Sequence, residues 1–167
     1  MKLFHGSNLE VAAPRLVEQL RGLDFGVGFY LTTSEEQANR FADIVAKRRK
    51  DGMATVNVYD FSMGAAKEIL SIRKFESADA EWLDFVAENR LKMYDGVVYD
   101  TVIGKVANDT VMPTIQAYLA GFLTEEAALI TLKASKLVDQ FCLKTADALA
   151  LLRFEGAYTR KGGAKHA

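Results

Sequence analysis

The order of extended and helical runs narrows the fold before any residue is read for chemistry. Residues 2–5, 28–32, 54–61, 68–73, 97–103 and 138–144 are rich in β-branched and aromatic side chains and read as short strands, and residues 153–154 begin a last one. The helices between them are punctuated by caps. Ser34 starts one with Gln37 completing a capping box, and Gly52 is placed to end it. Ala38, Phe41, Ala42 and Val45 share one face of that helix and are expected to pack inward. Residues 77–89 form a helix with the stripe Trp82, Phe85 and Val86; Pro113 opens a short helix through Tyr118. Thr124 caps a helix to about residue 136, and Thr145 caps another over residues 146–152. The strands slightly outnumber the helices and do not alternate regularly with long ones, which selects a mixed α+β fold over a doubly wound parallel sheet.

With 167 residues, half of them hydrophobic, the chain can bury one core of ordinary size. The two prolines and the absence of any Ser/Gly-rich stretch give no internal linker, so residues 1–158 read as a single domain and residues 159–167 as a polar, flexible tail. The 21 basic and 22 acidic side chains leave a formal charge of −1, so no overall basic field points to nucleic acid. Cys142 is the lone cysteine, and His5 and His166 are the only histidines. That composition excludes a disulfide framework and leaves little material for a metal site, so no metal is expected. No apolar run follows Met1–His5, and no stretch suits a membrane span, so a cytoplasmic protein with no membrane partner is expected.

Three places carry chemistry-bearing residues, and each also has an ordinary structural reading. His5 ends the first strand ahead of Gly6 and Ser7; a lone histidine is commonly a hydrogen-bonded structural residue. Residues 24–33, Asp-Phe-Gly-Val-Gly-Phe-Tyr-Leu-Thr-Thr, join glycines to an aromatic strand, as a hairpin approach does. They do not form a phosphate loop, because the spacing is wrong and no Gly-Lys-Ser/Thr follows. Gln140 sits in the polar head of an apolar strand.

Taken in order, Leu3-Phe4-His5-Gly6-Ser7, Gly26-Val27-Gly28-Phe29-Tyr30-Leu31-Thr32, Phe41 eleven residues beyond Tyr30, and Gln140 opening a late strand resemble the ADP-ribosyltransferase superfamily. The likeness is to its histidine–tyrosine–glutamate branch, that of diphtheria toxin and the poly(ADP-ribose) polymerases. Within it, the chain is similar to a small bacterial branch reading H-G-S, D-F-G-x-G-F-Y-L-T and Q-[FY]-x-[FL]. The resemblance implies a split mixed β-sheet core with peripheral helices and an enzyme that uses NAD as substrate. It implies that the Gly6 backbone holds the nicotinamide carboxamide, with Ser7 in support, and that His5 bonds an adenosine-ribose hydroxyl. Tyr30 and Phe41 are then the rings that sandwich the nicotinamide, stacking that adds about 0.5–1.5 kcal/mol beyond burial.

Gln140 departs from that branch, whose glutamate faces the cation that develops as nicotinamide leaves. A glutamine keeps an acceptor and brings no charge. A unit charge about 4 Å from the cation is worth roughly 4 kcal/mol at an effective dielectric near 20, or up to about three decades of rate. Gln140 therefore argues against a fast NAD hydrolase but not against slow transfer, and Gln140→Glu is expected to raise hydrolysis. Asp139 faces the other side of the strand, and Cys142 stands where a Gln-x-Glu motif needs its glutamate. Asp24 and Asp109 are the remaining charges that a loop can bring in.

Lys47-Arg48-Arg49-Lys50 complements the helix dipole at a solvated terminus or docks an acidic or phosphate-bearing partner. The loop at residues 107–110 lines an acceptor side or forms an Asx turn. The expected function is an NAD-dependent mono-ADP-ribosyltransferase acting on a protein or nucleic-acid acceptor, a toxin or effector inside the cell that makes it, restrained by an inhibitory partner protein. The alternative is a non-catalytic NAD- or ADP-ribose-binding regulatory module. A plain interaction domain with no nucleotide site is the third reading.

Overall fold

The computed structural model describes residues 1–108 and 110–159. Its strands are β1 (Lys2–Ser7), β2 (Phe29–Thr32), β3 (Thr55–Phe61), β4 (Ile72–Lys74), β5 (Thr101–Lys105), β6 (Asp139–Leu143) and β7 (Leu152–Thr159). Its helices are α1 (Glu35–Arg49), α2 (Met63–Ile69), α3 (Ala80–Arg90), α4 (Met112–Leu119), α5 (Glu125–Lys133) and α6 (Ala146–Ala150). The fold is mixed α+β. The seven strands form one sheet in the order β4-β5-β6-β2-β1-β3-β7. The β4–β5 pair is parallel and the other neighbours are antiparallel.

Helices cover both faces. On one face, α3, α4 and α5 pack Trp82, Val86, Ile115 and Ala128 against Val102 and Cys142. On the same face, at the β1–β3 end, Ala38 and Ala42 of α1 meet Val56 and Phe4. The opposite face carries Leu3, Phe29, Leu31, Tyr59 and Phe141 beneath Ala66 of α2 and Ala148 of α6. The two faces follow from the pleat, because successive residues of a strand point to opposite sides.

The caps behave as the side chains dictate. Ser34 accepts from the Gln37 N–H at 3.2 Å, Thr124 from Ala127 at 3.2 Å and Thr145 from Ala148 at 3.3 Å. The end of α1 differs from expectation: Lys50, in the left-handed region at φ 55°, closes it by donating to the Ala46 carbonyl, and Gly52 lies in the turn beyond. Residues 68–73 are not one strand. Ala-Ala-Lys-Glu at residues 65–68 favours helix, so α2 runs to Ile69 and only Ile72–Lys74 pairs with β5. Val97 and Val98 lie outside β5, whose ladder with β6 begins at Thr101 and Leu143; β-branched residues extend into strand only where a neighbour offers an edge. Thr159, assigned from sequence to the tail, is the last residue of β7 and pairs with Thr55. The remainder of that tail, with His166, lies outside the described residues.

The sheet is tightly laddered on one side of β1 and open on the other. β1 pairs with β3 from Lys2↔Asp60 through Ser7↔Thr55. Along its border with β2, the register among the described residues is fixed at Phe4↔Thr32 alone. Gly6 follows from the close approach of α1 to β1: a Cβ there would stand 2.3 Å from the Ala38 carbonyl oxygen and 2.7 Å from the Ala42 nitrogen. Backbone atoms inside a helix cannot yield separately, so the whole helix must shift. Gly6→Ala is expected to lower stability by about 1–3 kcal/mol, read from the midpoint of a urea unfolding curve; an unchanged midpoint shows that α1 is free to slide.

Candidate functional site

The residues singled out in the sequence lie on three neighbouring strands: His5, Gly6 and Ser7 on β1, Tyr30 on β2 and Gln140 on β6. Tyr30 pairs with Cys142 and Thr32 with Gln140, so Tyr30, Thr32 and Gln140 share one face, which is also the face covered by α1 and α3. The imidazole of His5 is on the opposite face. Its ring lies 4.4 Å from that of Phe29, among the residues packed with Leu3 and Tyr59. The structure thus gathers the strands, but it sets the imidazole apart from the phenol and the carboxamide.

His5 is joined to Tyr30 through the main chain. Its Nδ1 lies 2.7 Å from the Tyr30 carbonyl oxygen, where the β1–β2 ladder is open. A carbonyl only accepts, so Nδ1 carries the proton and the neutral ring presents Nε2 as an acceptor. Burial lowers the proton affinity of the imidazole below its ordinary value, against a smaller opposing effect of the bond to Tyr30. Burial keeps the ring neutral, and the bond to Tyr30 fixes which nitrogen carries the proton.

Tyr30 uses its hydroxyl locally. Oη donates to the Gly26 carbonyl at 2.6 Å and accepts from the Phe25 N–H at 3.0 Å, so the phenol pins the loop that precedes its own strand. Burial, with Cys142 and Asp24 nearby, keeps the phenol protonated well above its ordinary range. Its ring is left as a wall, stacked at 6.4 Å against Phe25. Cys142 beside it is no nucleophile, since burial pushes its thiol up to about 11.

Gln140 is 6% exposed and fixed by hydrogen bonds. Nε2 donates to Asp24 Oδ2 at 3.0 Å and to the Lys105 carbonyl at 3.4 Å. Both amide protons are thereby used, and Oε1 makes no hydrogen bond among the described residues. Asp24, also 6% exposed, accepts from Arg90 Nε at 2.7 Å and from the Ala107 N–H at 3.2 Å. The loop has therefore brought a carboxylate to the glutamine, paired with the guanidinium of Arg90. Of the two acids named from sequence, Asp24 is the one found here; Asp109 lies outside the described residues. Asp139 points elsewhere, to Lys105 Nζ at 2.9 Å.

Phe41 does not join the core stripe. Ala38 and Ala42 are buried, whereas Phe41 is 40% exposed. The two alanines let α1 sit close to Gly6, and that approach leaves no room beneath the helix for a larger ring. Phe41 is an accessible aromatic of α1, the helix whose Ala38 and Ala42 pack on the face that holds Tyr30 and Gln140. Ser7 is buried at the end of β1. In the loop at residues 107–110, Asn108 Oδ1 accepts from the Thr110 N–H at 3.1 Å, as an Asx turn does. Lys47, Arg48 and Arg49 fill the last turn of α1, and Arg48 and Arg90 stand near enough to Arg21 to lower its proton affinity, after burial. Arg90, which no motif singles out, is the main addition to the site; only its helical position in α3 and the acid at Asp24 hint at it.

Among the described residues, no group of three or more His, Cys, Asp or Glu side chains is placed to hold a metal ion. No helix among them is long and apolar enough to cross a membrane.

The His5 environment has a pH consequence. Because the folded state holds the imidazole neutral, the unfolded chain takes up a proton more readily just below the ordinary histidine value of about 6.5. The stability that His5 contributes is complete above that pH and is lost as the pH falls from it toward the folded-state value. Stability–pH curves are expected to slope less in His5→Gln than in wild type across this interval; parallel curves would overturn the assignment.

Residues 1–154 match the family described as DUF3990, protein of unknown function. No curated protein and no solved structure matches the chain. A match over nearly the whole described domain, with the His5, Tyr30 and Gln140 segments inside it, settles membership: the chain belongs to the DUF3990 family.

Proposed function

We propose that this protein is an NAD-dependent mono-ADP-ribosyltransferase, which breaks the bond between nicotinamide and ribose and transfers ADP-ribose to a protein or nucleic-acid acceptor. The observation that carries the reading is that His5, Tyr30 and Gln140, named from sequence on the strength of their motifs, stand on the adjacent strands β1, β2 and β6. The electron pair of the breaking bond goes to the nicotinamide nitrogen, and positive charge develops on the ribose. The acceptor's nucleophile forms the new bond to that ribose carbon and gives up its proton.

Each side chain has a task that its surroundings support. Gln140 Oε1 accepts from a ribose hydroxyl, because both hydrogens of its amide are held by Asp24 and Lys105. Asp24 sets a negative charge one hydrogen bond behind that amide, with Arg90 cancelling part of it. His5 Nε2 accepts from the second ribose, since the Tyr30 carbonyl fixes the tautomer. The Gly6 backbone, with Ser7, holds the carboxamide, and the rings of Tyr30 and Phe41 flank the nicotinamide. The imidazole stands on the face opposite Gln140, so the His5→Ala variant is the direct test of its contact with the dinucleotide. The enzyme acts as a toxin or effector in the cytoplasm, with an inhibitory partner protein.

A second reading, a non-catalytic NAD or ADP-ribose module, is favoured by one observation: the carboxamide is nearly buried and the carboxylate it faces, Asp24, is already paired with Arg90. Calorimetry with NAD, alongside an assay of nicotinamide release and of ADP-ribose adducts on cell lysate, separates the readings. Wild type is expected to turn over, with Gln140→Ala and His5→Ala at least about tenfold slower, equivalent to about 1.4 kcal/mol. Binding without turnover, indifferent to Gln140→Ala, establishes the module, and no binding at millimolar NAD removes both.

Asp24 also changes what a charge at residue 140 does. Gln140→Glu alone sets two carboxylates face to face at hydrogen-bond distance, which disfavours both being ionised. The exchange Asp24→Asn with Gln140→Glu keeps a donor facing an acceptor and moves the charge toward the ribose. That double variant is expected to gain hydrolysis, by up to about three decades for a charge worth roughly 4 kcal/mol; the single variant is not.

A further inference from the structure

A cavity of about 290 Å³ opens between α3 and the sheet, with Gly26 and Val27 of the residue 24–28 loop in its lining. Its walls are the rings of Phe85, Tyr94 and Tyr99 with Val102, and Val98 stands at its rim, 76% exposed. Two polar groups interrupt this apolar lining, and they sit side by side. Asn89 is 8% exposed. Its Nδ2 donates to the Phe85 carbonyl at 2.8 Å, which turns Oδ1 the other way. No hydrogen bond to that Oδ1 is found among the described residues. Lys144 donates to the carbonyls of Phe25 and Val27, the latter at 2.9 Å, and an ammonium has a third proton to give. A Cβ placed on Gly26 would lie 2.7 Å from Asn89 Oδ1 and 3.2 Å from Lys144 Nζ, so one fixed acceptor and one fixed donor border the same spot. Gly26 has φ +76°, and these close approaches leave no room there for a side chain, so the acceptor and the donor are held beside one another in the cavity wall.

We propose that this cavity is a second ligand site, for a nucleobase-like heterocycle that presents an N–H donor beside a ring acceptor. Aromatic walls match a flat π-system, and an amine next to a ring nitrogen, as on adenine, answers Asn89 Oδ1 and Lys144 Nζ together. The volume lies at the lower end of ligand pockets, about 300–1,000 Å³, so the site takes a base and not a whole dinucleotide. It is distinct from the Gln140 site but shares a wall with it, because the loop that forms its floor also carries Asp24. The base arrives free or as part of a nucleotide, and both present the same edge.

Titration of the intact protein with adenine, adenosine monophosphate and purine, followed by saturation-transfer NMR, tests this. Adenine is expected to bind at least about tenfold more tightly than purine, which lacks the amine; tenfold corresponds to about 1.4 kcal/mol. Lys144→Met is expected to weaken adenine and purine alike, because the ring acceptor it serves is present in both, and Val98→Trp, at an exposed rim position, to block binding with the fold intact. Adenine bound with the monophosphate refused identifies a free base; both bound identifies the base of a nucleotide. Equal affinity for adenine and purine, undiminished adenine binding in Val98→Trp, or no binding of adenine or the monophosphate at millimolar concentration overturns the proposal. The readout is binding by the bare protein, so it does not depend on NAD turnover.

Discussion

An ionised carboxylate can remain inside a protein only where donors surround it, and Asp24 meets that condition with three elements at once. Arg90 reaches it from the end of α3, the Ala107 N–H from the loop after β5, and Gln140 from β6. Each element arrives by a different route through the chain, so the loop at residues 24–28 is held where sheet and helix meet. Removing one partner of such a group leaves a buried charge uncompensated, which commonly costs about 3–5 kcal/mol. The site's geometry therefore depends on this acid more than on any apolar contact. Gln140 keeps its orientation because Asp24 and the Lys105 carbonyl hold its amide protons, and Arg90 holds Asp24.

The same loop is pinned a second and a third time. The Tyr30 hydroxyl bonds Phe25 and Gly26, and the Lys144 ammonium bonds the carbonyls of Phe25 and Val27. A short segment without secondary structure is thus as constrained as a strand, by side chains in place of a ladder. The motif residues acquire double functions as a result. Tyr30 is an aromatic wall whose polar end serves the backbone, and Gly6 is at once a motif residue and the point where α1 comes too close to β1 for any side chain.

Local chemistry was legible in the sequence wherever the cause was local. The caps at Ser34, Thr124 and Thr145, the helical start near Pro113 and the buried stripe Trp82, Phe85 and Val86 each follow from a few adjacent residues. Where a partner decides, the reading failed. Val97 and Val98 have β-branched side chains but no strand to pair with, and Phe41 has the periodicity of a core residue but a helix that sits too low to cover it. The site divides in the same way. His5, Tyr30 and Gln140 carry signals in their flanking residues. That the imidazole lies on the other face from the phenol depends on register, which no motif states. Arg90 has no sequence signal of its own, because an arginine in the last turn of a helix is ordinary until the fold sets a buried acid beside it.

The glutamine at the head of β6 is best understood from the charge that stands behind it. A chain that simply lost the acid would leave a neutral amide, free to rotate and to offer either end to a ligand. Here the carboxylate is present at Asp24, 3.0 Å behind the amide nitrogen. The amide between it and the ligand side transmits polarisation and a fixed orientation but not the full charge, and Arg90 withdraws part of what remains. On the proposed transferase reading, an acceptor of this kind binds a ribose hydroxyl as firmly as a neutral group can, and it stabilises a developing cation less than a facing carboxylate does. The arrangement would then suit a reaction whose rate is governed by the arrival of a well-placed acceptor more than by spontaneous departure of the leaving group, since a weaker field at the ribose suppresses loss of ADP-ribose to water.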